Sequence, residues 1–156
     1  MLSTILANKP VLVGLHLGFA ILGIDFTIWL LGELVANVRT NKRIKIAAIG
    51  SLVSFVLSWL IGGFYYVKFY GVLVKPIIKA SSAPWAHSIF METKEHVFLF
   101  VVPLALTLVF LSLLSVDDLK NYNLRKLFMV LTILTASISL LIGAMGFIIS
   151  ASARWA

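Results

Sequence analysis

The sequence predicts an all-α fold, an integral membrane four-helix bundle, on three observations. Four long apolar segments, separated by polar loops, account for most of the 156 residues. Hydrophobic residues make up 61% of the chain and charged residues only 12%, with a mean hydropathy of +1.06. A bilayer core about 30 Å thick needs roughly 20 apolar residues of helix to cross it. Four such helices leave no room for a sizeable soluble module, so a single membrane domain over residues 1–156 is expected.

The first helix is expected over about residues 10–38. Pro10 suits a first turn, where its missing N–H would be unsatisfied anyway. The segment MLSTILANKP has no basic run, and the apolar stretch after it is too long for a signal peptide, so it reads as a retained helix. The second helix is expected over 46–67, after the basic run RTNKRIK, and it ends in the aromatics Phe64, Tyr65, Tyr66, Phe69 and Tyr70. These suit an interfacial belt, as do Trp29, Trp59, Trp85 and Trp155. Residues 68–95 read as the one substantial connection, with Pro76 and a Ser/Ala turn. A third helix starts at Pro84 and runs to Val116, with Pro103 expected to kink it. SVDDLKNYN reads as a short loop, and the fourth helix covers about 124–149.

The formal net charge is +7 and the pI about 9.9. In a membrane chain this places Lys and Arg beside anionic headgroups. The lipid bilayer is the expected partner, and no nucleic-acid motif is present. Seven basic residues fall in the loops between helices 1 and 2 and between 3 and 4, against six on the other side. The first set is denser and in shorter loops, which predicts both termini outside. Without cysteine there is no disulfide, thiolate metal site or c-type haem attachment. Nucleophile elbows, phosphate loops and paired catalytic carboxylates are absent.

Between membrane helices, small residues allow close approach. Ala47, Ser51, Ser54, Ser58 and Gly62 form one such stripe, and Thr132, Thr135, Ser139, Gly146 and Ser150 another. The first helix carries two, on nearly opposite sides. Gly14, Gly18, Asp25 and Gly32 share one side; His16, Ala20, Gly23 and Thr27 share the other. That pattern expects neighbours on both sides, in a homo-oligomer or a larger membrane complex. The His16 face also suits a flat ligand, since a porphyrin needs small residues beside its axial histidine.

All three histidines, His16, His87 and His96, fall toward one membrane side. Acids join them in PWAHSIFMETKEH, where Glu92 and His96 are four apart on one helix face and Glu95 is adjacent. Histidine is the commonest protein ligand for transition metals and for haem iron. Two sites are expected from this. In one, His16 and His96 ligate haem b from opposite sides, with His87 or Met91 as substitutes for His96. In the other, His16, His87, Glu92 and His96 gather copper, zinc or non-haem iron. The bland alternative makes His87 and His96 interfacial residues beside a solvated acidic face.

Asp25 lies near mid-membrane, where a charge costs at least about 2.5–3.5 kcal/mol. It reads as a proton or cation group, or as neutral glue to Ser54, Ser58 or a hydroxyl of the fourth helix. Glu33, two turns on, reads as a partner of Arg39 or Lys42, or as a proton path with Asp25.

The run LVGLHLGFAILGIDFTIWL, with a Leu-His pair followed by small residues and Trp, resembles the opening helix of CopD-like membrane proteins and small membrane b-type cytochromes. KFYGVLVK is similar to a Tyr-Gly…Lys pattern in that group, although Lys75 comes early and Val72 stands where Arg often follows Gly. The resemblance covers about a third of the chain and implies a four-helix bundle handling haem or copper, with His16 carried over. The leading functional expectation is therefore a membrane redox protein with haem b, exchanging electrons with a quinol or a partner protein. The alternatives are a structural subunit of a larger complex, or a small proton or ion transporter using Asp25.

Overall fold

The structure, a computed structural model, describes residues 6–36 and 41–156, and no strand occurs among the described residues. Four helices are long and apolar enough to cross a membrane: Lys9–Val35, Asn41–Ala80, Ala86–Leu113 and Arg125–Arg154. The fold is the all-α four-helix bundle.

Helix α1 (Lys9–Val35) starts at Asn8, whose side chain accepts from the Val11 N–H at 3.3 Å, with Pro10 in the first turn. The expected end at Val38 lies outside the described residues. Helix α2 (Asn41–Tyr65) begins earlier than expected, taking Lys42, Arg43 and Lys45 into its first turns.

The largest correction concerns residues 68–83, most of which are helical rather than loop, whereas the helix expected from Pro84 is present from Ala86. The second span continues from α2 through a π-helical stretch, Tyr66–Val74, into α3 (Lys75–Ala80). Pro76 is tolerated because it falls in the first turn of α3, just after the wider π spiral. The chain then reverses tightly. Ser81 Oγ donates to the Ile78 carbonyl at 2.7 Å and accepts from the Ala83 N–H at 3.1 Å. A second π-helical stretch, Ala86–Met91, leads into α4 (Glu92–Leu113), which passes through Pro103 without ending.

SVDDLKNYN is not a bare loop either. It holds α5 (Val116–Asn121), closed by a capping box. Ser115 Oγ accepts from the Asp118 N–H at 3.0 Å, and the Asp118 carboxylate accepts from the Ser115 N–H at 3.1 Å. Asn123 takes a left-handed φ of 54°, which Asn tolerates better than most residues, and α6 (Arg125–Arg154) follows.

Helices α1 and α4 each pack on α2 and α6, so α1 and α4 stand diagonally across the bundle. One core layer holds Leu30, Leu34, Ile44, Ala47, Ala48, Leu108, Leu119 and Phe128, with Leu119 of α5 closing that end. The middle layer is Phe55, Val101, Ala105 and Ile142. The histidine end is built on Tyr70, Ile78, Ala86 and Ile149.

The small-residue stripes of α2 and α6 face inward: Ala47, Ser51, Ser54, Ser58, Thr132, Thr135 and Ser139 are all buried. Polar glue joins α1 to α2 through Thr27 Oγ1 and Ser51 Oγ, 2.7 Å apart, a contact worth about 0.6 kcal/mol in a membrane bundle. The two helices also interlock. The Phe55 ring lies against Gly23, and the Phe26 ring against Gly50, each where a Cβ would sit under 3.0 Å away.

Candidate functional site at the histidine end

His16 points from α1 into the seam with α2. Its Nδ1 lies 2.8 Å from the Ser58 carbonyl and 2.9 Å from Ser58 Oγ, while that hydroxyl donates to the His16 carbonyl at 2.9 Å. With the hydroxyl proton committed, Nδ1 carries the hydrogen and Nε2 keeps its lone pair. Gly62 makes room for the ring: a Cβ there would be 2.5 Å from Nδ1.

Across the bundle, the Lys94 side chain of α4 lies beside Gly146 of α6, with Nζ 3.2 Å from where a Cβ would be. Lys94 is within electrostatic range of both His16 and Glu95. The diagonal pair α1 and α4 thus brings one imidazole and one amine toward the same interior, lined by glycines of α2 and α6.

His87 sits above this layer on the second π-helical stretch and is 1% exposed. Its Nδ1 is 3.0 Å from the Tyr70 hydroxyl on the first π-helical stretch. Its Nε2 is buried without a hydrogen-bond partner and lies 4.0 Å from Glu92 Oε1. The next turn of α4 brings Glu95, within electrostatic reach of Tyr66 and Tyr70, and its Oε1 is buried without a partner. Tyr66 and Tyr70 stack with centroids 5.3 Å apart. Both π-helical stretches therefore carry the polar groups of this end, and such local widening is frequent where a helix serves a site.

The structure separates residues that the sequence grouped. His96 follows Lys94 by two positions, about 200° further round the helix, so it points away from the interior that Lys94 enters. It is exposed, and its Nδ1 donates to the Glu92 carbonyl at 2.7 Å. His16 and His96 are therefore not aimed at a common slot. The non-haem set of His16, His87, Glu92 and His96 is not gathered: among the described residues, no group of three or more His, Cys, Asp or Glu is placed to hold a metal ion. Of that set, only His87 and Glu92 bring polar side-chain atoms toward each other, at 4.0 Å; His96 meets Glu92 at its backbone carbonyl.

Asp25 is exposed on α1, not bonded to Ser54, Ser58 or the fourth span. Ser58 is used by His16, and the glue at this seam is Thr27 with Ser51. Glu33 is buried, and among the described residues its ion-pair partner is Arg43 rather than the expected Lys42. Its Oε1 is 2.7 Å from Arg43 Nη2 and accepts from Trp29 Nε1 at 2.7 Å. Arg39 lies outside the described residues. Asp25 faces outward, whereas Glu33 is buried in an ion pair with Arg43.

Sequence reasoning misses two residues of the site. Tyr70 reads there as part of an aromatic belt, and Lys94 as part of a solvated face. The i, i+4 spacing of Tyr66 and Tyr70 is a usable signal, hidden when the second helix is ended at Val67. Comparison of the chain with protein families, curated proteins and solved structures finds no match in any of the three.

Proposed function

We propose that the protein is a membrane protein that moves protons through its histidine end. One observation carries this reading: a buried imidazole, His87, is flanked by a phenol on Nδ1 and a carboxylate on Nε2, with an orphaned Glu95 oxygen nearby. A histidine held in this way can take a proton at one nitrogen and release one at the other. Tyr70 donating to Nδ1 leaves the hydrogen on Nε2, toward Glu92; the reverse arrangement places it on Nδ1, toward Tyr70. In the change from the second arrangement to the first, Nε2 takes a proton from the Glu92 side as Nδ1 gives its proton to the Tyr70 oxygen. That oxygen releases its own hydroxyl proton to water, and a turn of the ring restores the start. Glu92 is largely exposed and supplies the outer end of the path.

Orphaned buried polar atoms cost about 1–3 kcal/mol each and are normally satisfied by water. Waters at His87 Nε2 and Glu95 Oε1 would join the Glu92–His87–Tyr70 group to Tyr66, Glu95, Lys94 and His16. We place this end, which carries both termini, on the outer side of the membrane, following the denser basic loops at the opposite end.

The test is proton uptake by vesicles containing the purified protein and an internal pH dye. His87→Ala and Glu95→Gln should each lower uptake about a hundredfold or more, in the range of removing one acid–base group. Uptake unchanged in both, with intact helical content, would overturn the reading.

A second reading is favoured by one feature of His16. A metal-bound histidine typically donates its other ring N–H to a carbonyl, as His16 Nδ1 does to Ser58. On that reading His16 holds haem b or another metal ion through Nε2, in electron transfer with a quinol or a larger complex. An absorption spectrum of the purified protein, oxidised and then reduced, decides it. A Soret band lost in His16→Ala supports it, and a colourless, metal-free protein eliminates it.

A further inference from the structure

The face of α1 that carries Gly14, Gly18, Asp25 and Gly32 is left uncovered by the described residues. At about 100° per residue these four fall within an arc of about 40°. A Cβ on Gly14, Gly18 or Gly32 would find no atom within 4 Å. Ile21 and Ile28, bordering them, are 49% and 50% exposed. Asp25 is exposed and, among the described residues, makes no hydrogen bond or ion pair.

These observations are independent. The glycines leave room for a backbone to approach, and the carboxyl requires a polar partner. Asp25 lies roughly 24 Å along the helix from Lys9 and 15 Å from Val35, well inside the span. A carboxyl turned to hydrocarbon there is costly even when neutral.

We propose that this face pairs with a second copy of the chain, the two α1 helices crossing at a shallow angle with their Asp25 carboxyls bonded to each other. The spacing of Gly18, Asp25 and Gly32 is seven and seven, the repeat of a shallow left-handed crossing, with Asp25 at its centre. A two-fold axis along the membrane normal sets each residue opposite its own copy. Glycine then meets glycine two turns above and two turns below, and carboxyl meets carboxyl. A carboxylic acid both donates and accepts, so it is its own complement. Two neutral acids bond reciprocally, or a singly ionised pair shares one proton, because two like charges at this depth do not both ionise. The nearby donor, the Trp29 indole N–H, is committed to Glu33, so the carboxyl of the second copy is the partner that serves Asp25. The opposite side of α1 is already covered by α2, so the dimer leaves the histidine end as it is.

The chain has no cysteine, which makes single-cysteine cross-linking clean. The full chain is placed in lipid vesicles with Ile21→Cys or Ile28→Cys on the face, and with Leu60→Cys as a control on exposed α2 surface. Mild oxidation should convert the two face variants, and not the control, to a species of twice the mass. Adding Asp25→Leu to Ile28→Cys should cut that species about tenfold, whereas Asp25→Asn, which keeps a donor and an acceptor, should retain most of it. Cross-linking equal at all three positions, or absent from both face positions, overturns the proposal. So does cross-linking unaffected by Asp25→Leu, or a product of a different mass in native membranes.

Discussion

At Gly62 a methyl group would stand 2.5 Å from the Nδ1 of His16, and the ring could not keep its place against Ser58. Gly62→Ala should therefore displace the imidazole and destabilise the fold by about 1–3 kcal/mol, the usual cost of overpacking. Unfolding in mixed detergent micelles measures the stability, and the His16 ring resonance reports the displacement. Loss of stability with an unmoved His16 resonance would contradict this account of the contact. The spacing of Ser58, Gly62 and His16 on small-residue faces was legible in the sequence. The use made of it was not, because 3.6-residue periodicity gives a face and not a hydrogen-bond partner. Asp25 shows the same limit from the other side. Its depth was readable, but whether its face was covered depended on which side of α1 met α2.

At the scale of elements, the ends of helices follow local chemistry. Ser115 and Asp118 form a capping box in a segment too short and too polar to have been expected as a helix, although Ser-x-x-Asp is itself a start signal. Ser115→Ala should cost about 0.5–2 kcal/mol and raise amide exchange across Val116–Asn121, with little change elsewhere. Hydrogen bonds from Ser115 Oγ and the Ser115 N–H hold the Asp118 carboxyl below its ordinary range. Its folded-state value is depressed, so its contribution is present at neutral pH and is lost as pH falls through that lower value. Amide protection in α5, measured against the intrinsic exchange rate at each pH, should fall on acidification, and less so in Ser115→Ala. The four spans were legible because length and hydropathy decide them. The continuation of the second span to Ala80 was not, since Pro76 reads as a breaker unless the preceding turn is known to be π-helical.

At the scale of the whole molecule, an up-and-down bundle with α1 and α4 on one diagonal gathers the histidine end's polar groups inside, while the buried charge at the other end, Glu33, is paired with Arg43. The layer around Leu30, Leu108 and Phe128 is closed by apolar side chains. The opposite end collects His16, Tyr66, Tyr70, His87, Lys94 and Glu95 where glycines and π-helical turns leave space. The co-location of His16 and His87 at one end was readable from helix direction alone. The outward turn of His96 and the inward turn of Lys94 were not, because they depend on which face of α4 meets α2 and α6.

The central claim is that His87 relays protons at this end, between Glu92 and Tyr70, with Glu95 joined to it through water. Infrared difference spectroscopy of the full chain in lipid nanodiscs, between neutral and acidic buffer, addresses it most directly. A carboxyl band that disappears in Glu95→Gln, shifts in deuterated buffer and moves in His87→Ala is the result expected. No carboxyl band assignable to Glu95 across the same acidification, or one indifferent to His87→Ala, would contradict it.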